Sequence, residues 1–415
     1  MSTLVIGAAG AVGTRLVKAL ARRGTKVVIA DRLPRLPESL IERSIAAVPN
    51  VDVRDAASVL KVFKDNPSVE TVWNLAAPLS VETALDPAVA EAVTIGGMRN
   101  VINAMEETGV RRICFTDSIG SFGASAPRNE CAARWLVENP TQDPGSDYGR
   151  QKRGCREMMA EFAAVGGDPR WAVLPGVLHG EAVWGQGTTE YALEAMQAAA
   201  RDRDFECPIE PDVVIPMVFV TDLMRGLLAL QDAPESELHE PQRGYCIPGL
   251  SFSAEQLFKE IRRYKPDFKT TVKLDSNMNK FAHLWPNSLS RKEPQRDLGY
   301  TPRIGLREMV AHVMIAHEER LARSRVVFRL VDQDGDGLLD KRDMVNFLNE
   351  LLYVPESIDN DKKMGLVEEL VARAFKDIGC VDDGRISYPV FHNWTKTNTL
   401  CSLIHNFSQE KHLLI

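Results

Sequence analysis

Leu4-Val5-Ile6-Gly7-Ala8-Ala9-Gly10-Ala11-Val12-Gly13 lies at the start of the chain, and its reading decides the fold. An apolar strand, Thr3–Ile6, runs into three glycines at three-residue spacing, and helical periodicity follows over Gly13–Arg23. Gly7 permits the tight turn. Gly10 lets the backbone approach a pyrophosphate, and Gly13 lets helix and strand pack closely. The first helical residues, Ala11 and Val12, present backbone N–H groups to phosphate. A glycine triplet alone is weak evidence. Here a second strand, Lys26–Ala30, ends in Asp31, 18 positions beyond Gly13. A carboxylate there accepts hydrogen bonds from ribose hydroxyls and repels a 2′-phosphate, so NAD is expected over NADP. Arg32, expected beside the same cofactor, weakens that preference.

Further strands are predicted at Val69–Leu75 and Arg112–Thr116, with helices between them. Strands alternating with helices imply βαβ units, hence an α/β fold with a doubly wound parallel sheet of Rossmann type. From 176 to 303 the pattern loosens into a small substrate lobe. Ala124–Asp147 and Gln231–Gly244 read as long loops. Near residue 322 the composition shifts to Asp-rich loops and amphipathic helices. The expected domains are therefore 1–322 and an all-α module over 323–415.

With 415 residues, 44% of them hydrophobic, the chain has material for more than one core. A net charge of -7 argues against a nucleic-acid binder. Seven widely spaced cysteines without a C-x-x-C pair read as free thiols in a reducing compartment rather than as a disulfide framework or zinc site. No run of about 18 apolar residues occurs, so no membrane span is expected. The expected location is cytoplasmic, or the mitochondrial matrix if a presequence has been removed.

Tyr148-Gly149-Arg150-Gln151-Lys152 places a Tyr and a Lys four apart at a helix start, on one face. The ammonium favours the phenolate, so Tyr148 can exchange a proton with a substrate hydroxyl. Ser118 follows an apolar strand and falls at the sheet edge where ligands of open α/β sheets bind. This order of motifs resembles the extended short-chain dehydrogenase/reductase superfamily over residues 1 to about 320. The resemblance implies catalytic roles for Ser118, Tyr148 and Lys152. It also implies cofactor contacts from Asp52 and Val53 at the adenine, from Leu75, Ala76 and Ala77 along the cofactor, and from Pro175 beside the nicotinamide.

Within that superfamily the chain resembles the L-threonine 3-dehydrogenase group. The stretches that carry this are Ser118–Gly123, Ala126–Asn129, Gly185–Ala192 and Trp285-Pro286. The resemblance implies an amino-acid site that includes Ser80, Ser118, Tyr148, Gly187, Thr188 and Thr189, and oxidation of the threonine β-hydroxyl. There are departures. Asp117 stands where the group usually has Ser or another small residue, and Thr94 where the superfamily usually has Asn. Val214 stands where the group has an Arg associated with the substrate carboxylate.

Asp332-Gln333-Asp334-Gly335-Asp336-Gly337-Leu338-Leu339-Asp340-Lys341-Arg342-Asp343 fits a twelve-residue EF-hand loop. The side chains of Asp332, Asp334 and Asp336, the Leu338 carbonyl, Asp340 through water and Asp343 would hold Ca2+. Asp343 in place of the usual Glu reaches less well, which weakens Ca2+ and relatively favours Mg2+. The segment 379–390 reads as a metal-silent partner loop in which Ile386 faces Leu339.

Three function classes stay open. They are a dehydrogenase of a small hydroxylated substrate such as an amino acid, whose metal-binding module either modulates it through calcium or serves as a stabilising or docking appendage; a nucleotide-sugar epimerase, dehydratase or reductase; and a non-catalytic NAD-binding calcium sensor. By fold analogy, a homodimer through the helix following Tyr148 is expected.

Overall fold

The computed structural model describes residues 2–78, 80–180, 189–332, 337–351, 360–378 and 384–397. Six strands, β1 (Ser2–Ile6), β2 (Lys26–Ala30), β3 (Ala46–Val48), β4 (Val69–Asn74), β5 (Arg112–Ser118) and β6 (Asp168–Leu174), lie parallel in one sheet, in the order β6-β5-β4-β1-β2-β3. Gly244–Cys246 adds a seventh parallel strand beside β6. The order reverses between β1 and β4, which opens a crevice at the C-terminal strand ends. Helix α1 (Ala11–Arg22) buries Leu16, Val17 and Leu20 against Val5, Val27, Ile29 and Trp73. The central strands are buried on both faces, which explains their near-continuous apolar sequences.

The seventh strand lies at the end of a segment read as loop. Gly-Tyr-Cys carries no apolar run. A Cβ at Gly244 would come within 2.0 Å of the Trp171 ring, so only glycine lets the strand lie there. The rest of that segment contains the end of helix Val220–Asp232 and two 3-10 turns. Ala124–Asp147 contains a short helix, Arg134–Glu138.

The lobe from Gly176 onward has its own sheet of Gly176–Leu178, Val214–Phe219 and Leu250–Ser253. Phe205–Cys207 pairs separately with Thr270–Val272. Glu240 and Asp297 are buried acids. Burial raises both carboxyls, yet hydrogen bonds from Arg296 to both, from Arg134 to Glu240 and from Tyr245 to Asp297 outweigh it and hold them below the ordinary range.

One compact unit runs to Val313 and a second begins at Met314; the expected boundary near 322 falls inside helix Leu306–Val331. The second unit has its own core of Phe328, Leu339, Met344, Leu370, Phe375 and Phe391. Leu338–Leu339 pairs antiparallel with Ile386–Ser387, and Leu339 lies opposite Ile386 as the two loops predicted.

Candidate functional site

The glycine loop fits a dinucleotide pyrophosphate. Gly7 sits at φ 77°, and a Cβ there would stand 2.9 Å from the Ala76 nitrogen. A Cβ at Gly13 would stand 2.2 Å from the Gly7 carbonyl oxygen. Gly10 caps α1 without any side-chain hydrogen bond, and the first turn holds no acid that would repel phosphate. Asp31 is 8% exposed at the end of β2. One of its oxygens accepts the Ala9 N–H at 2.9 Å and the other the Leu33 N–H at 3.2 Å.

Other expected cofactor residues distribute around this loop. Leu75, Ala76 and Ala77 follow β4, and the Leu75 N–H bonds the Ile6 carbonyl at 3.0 Å, which places this segment beside Gly7. Asp52 is held below its ordinary carboxyl range by hydrogen bonds from Arg54. Val53 is buried under Gly97, and its carbonyl accepts from Asn100 at 2.8 Å. Arg32 is exposed. Leu174 pairs with Ser118 across β5 and β6, so Pro175 emerges at the same sheet edge as Ser118.

Ser118 is the last residue of β5, two residues later than the predicted strand end, and it caps the turn Ile119–Ser121 by accepting the Gly120 N–H at 3.1 Å. Ser146 caps helix Asp147–Ala164, and Tyr148 lies in that helix's first turn. Gly120 is the meeting point of these elements. Its ideal Cβ position lies 3.5 Å from Ser118 Oγ and 3.4 Å from Tyr148 Cδ1. Gly149 seats the helix against this turn, since a Cβ there would be 2.2 Å from the Gly120 oxygen. Lys152 is 3% exposed and donates from Nζ to the Thr116 carbonyl at 2.9 Å. Its ammonium also lies 4.6 Å from the Phe115 ring centre and 5.3 Å from that of Tyr148. The fold thus collects Ser118, Tyr148 and Lys152 at one edge. Sequence reading missed Gly120 and the Thr116 carbonyl, because neither has a distinctive side chain.

The family whose description reads NAD dependent epimerase/dehydratase matches residues 3–242. The chain belongs to that family. It is an NAD-dependent oxidoreductase of the extended short-chain type, with an EF-hand domain pair matched over residues 322–396. A similar curated relative is the mitochondrial L-threonine 3-dehydrogenase of Bos taurus, 28% identical over 328 residues, or 77% of this chain and 84% of the relative. Among solved structures, the holo form of a GalE-like L-threonine dehydrogenase from Cupriavidus necator is 26% identical with TM-score 0.69, covering 76% of this chain and 99% of that one. A monomeric L-threonine 3-dehydrogenase from a metagenome is 28% identical with TM-score 0.68, covering 76% and 99%.

Around the expected substrate side, Ser80 opens helix Ser80–Leu85 and is half-buried. Thr189 packs on Gly176, whose Cβ would lie 2.7 Å from the Thr189 Cβ. Gly187 and Thr188 lie outside the described residues. Two stretches that carried the resemblance, Ala126–Asn129 and Trp285-Pro286, meet each other. Arg128 donates to the carbonyls of His283, at 2.6 Å, and Trp285, and to Asn287 Oδ1 at 2.8 Å. Val214 opens strand Val214–Phe219, opposite Ser253.

Of the EF-hand positions, Asp334 and Asp336 lie outside the described residues. Gly337 has φ 81°, and its N–H bonds Asp332 Oδ2 at 3.1 Å, which makes the sharp loop turn. Asp340 and Asp343 form a reciprocal cap: the Asp340 N–H reaches Asp343 Oδ2 at 3.0 Å, and the Asp343 N–H reaches Asp340 Oδ1 at 2.9 Å. Leu338 lies in the short strand between these turns. No helix among the described residues is long and apolar enough to cross a membrane.

Proposed function

We propose that the chain oxidises the β-hydroxyl of L-threonine to 2-amino-3-oxobutanoate. One observation carries this reading: Ser118 and Tyr148 flank Gly120, with the Lys152 ammonium beside the Tyr148 ring. Tyr148 takes the hydroxyl proton, Ser118 holds the reacting oxygen, and Lys152, its ammonium beside the Tyr148 ring, would bind the nicotinamide ribose. NAD, when bound, supplies the hydride acceptor. Gly10, Ala11, Val12 and Gly13 would hold its phosphates, and Asp31 its adenosine ribose. Ser80 and Thr189, with Gly187 and Thr188, shape the amino-acid pocket. The similarity to threonine dehydrogenases supports this substrate over a nucleotide sugar, and the assembled Ser118, Tyr148 and Lys152 argue against a non-catalytic sensor. Val214 supports a second reading, in which the substrate is a different small hydroxylated molecule without the usual carboxylate pairing. NADH production from L-threonine and NAD tests the first reading. Its absence, with NADH binding intact, favours the second. A homodimer, located in the cytoplasm or the mitochondrial matrix, completes the proposal.

For the second unit we propose a divalent-cation site at 332–343. Asp343 stands where a bidentate Glu usually closes such a loop, its shorter side chain reaches less well, and its Oδ2 also accepts the Asp340 N–H. We therefore expect Ca2+ binding weaker than about 10⁻⁵ M, with Mg2+ competing, as calorimetry on the full chain would read. Asp332→Ala should abolish the heat. Modulation of turnover by the ion is the accompanying proposal; equal turnover with and without it, at verified occupancy, would refute it.

A further inference from the structure

The strand and the helix that carry the reactive side chains are joined by one buried ion pair. Asp117 directly precedes Ser118 on β5 and is 2% exposed. Arg156 lies one turn beyond Lys152 on helix Asp147–Ala164 and is 3% exposed. Arg156 Nη1 donates to Asp117 Oδ2. The other Asp117 oxygen accepts the Ser118 N–H at 2.8 Å and the Ser121 hydroxyl at 2.5 Å. The Ser121 carbonyl in turn accepts from Gln142 Nε2 at 2.5 Å. The guanidinium lies 5.5 Å from the Trp171 ring centre. The Asp117 carboxylate therefore fixes both ends of the turn that contains Gly120, and Arg156 ties that turn to the helix whose first residues pack on it.

A second relation gives the pair its use. Lys152 donates to Thr116, the residue before Asp117. Two cations on one helix thus bind adjacent residues of one strand. A buried carboxylate that loses its partner draws on the nearest remaining positive charge, because the low dielectric makes an unpaired ion costly.

We infer that Asp117 and Arg156 are positioning residues: the pair holds Ser118 in register with Tyr148, and Arg156 occupies the Asp117 carboxylate so that the Lys152 ammonium stays with Tyr148 and the ribose. The inference rests on the dehydrogenase reading above for its catalytic consequence, and on cofactor binding for a consequence independent of substrate.

The test uses the full chain as wild type, Arg156→Met, Asp117→Ser and the double variant. Methionine keeps an apolar stem over Trp171, and serine is a small residue of the kind expected at this place from the resemblance to the threonine dehydrogenase group. NADH affinity is read by fluorescence titration, and kcat and KM are read with L-threonine and NAD. Arg156→Met should weaken NADH about tenfold and lower kcat about 100-fold, with a smaller change in KM for threonine. Removing the carboxylate as well should restore both to within a few-fold of wild type, since the losses of coupled residues do not add. Arg156→Lys, which keeps a cation, should fall between wild type and Arg156→Met, and it replaces Arg156→Met if that variant fails to fold.

A purely structural role would lower the melting temperature of each single variant, leave the NADH affinity of the folded protein unchanged and add its losses in the double. That result overturns the inference. If wild type does not oxidise L-threonine, or Tyr148→Phe retains its turnover, the substrate or catalytic reading fails instead. The NADH titrations then decide the pair alone: weakened binding in Arg156→Met, restored in the double, sustains it, and unchanged binding sinks it.

Discussion

Replacing Tyr148 with phenylalanine should lower NADH formation from L-threonine by about 10³-fold while NADH still binds. The ring that packs beside Gly120 is retained, so the turn and the helix start keep their seats. Lys152 keeps its bond to the Thr116 carbonyl and its place over Phe115. What is lost is the one oxygen to which the proposed reaction assigns proton exchange with the substrate. Because that exchange belongs to the transition state, kcat and kcat/KM should fall together. Steady-state kinetics at matched NAD saturation checks this. Retention of more than a tenth of wild-type turnover would remove Tyr148 from the proposed chemistry.

Gly13→Ala should reduce NADH affinity by about 100-fold and lower the melting temperature, since inserted volume in a tight site forces backbone shifts. The added methyl would meet the Gly7 oxygen at 2.2 Å and two Ala8 atoms at 2.9 Å. All three belong to backbone, so no side-chain rotation relieves the overlap. Relief must come from moving α1 away from β1, which displaces the N–H groups that would hold the phosphate. Gly96→Ala is the matched control: nothing lies within 4 Å of its new methyl, and its backbone is helical. That substitution should leave NADH affinity unchanged. Equal affinities for the two variants would show that close packing at Gly13 is not what shapes the cradle.

Much of the first unit was legible because its residues act locally. The glycine spacing, Asp31 at a strand end and the Tyr148–Lys152 interval each carry their geometry in the sequence. Apolar runs such as Lys26–Ala30 were readable for the same reason, since a strand buried on both faces must be apolar throughout. Gly244–Cys246 was not readable, because its place in the sheet depends on a close approach of Gly244 to the distant Trp171 ring. The Asp117–Arg156 pair was hidden too. Asp117 stood out as an unusual residue for its place, but its partner lies 39 residues away on another element. Long-range charge pairing leaves no periodic trace. In the second unit the loop glycine and the Leu339–Ile386 pairing were legible from the twelve-residue pattern, whereas the reciprocal cap of Asp340 and Asp343 follows from the helix start that the loop feeds.

Asp31 braces the glycine loop through the Ala9 N–H, and in the proposed function the same side chain takes the ribose. On that proposal, cofactor choice and loop shape are written in one side chain. A lineage drifting toward NADP could not simply exchange this carboxylate for a small or basic residue, because the exchange would slacken the cradle it was meant to re-address. Such a change would need a second substitution that splints Ala9 from elsewhere, and redesign of cofactor preference should begin with that splint.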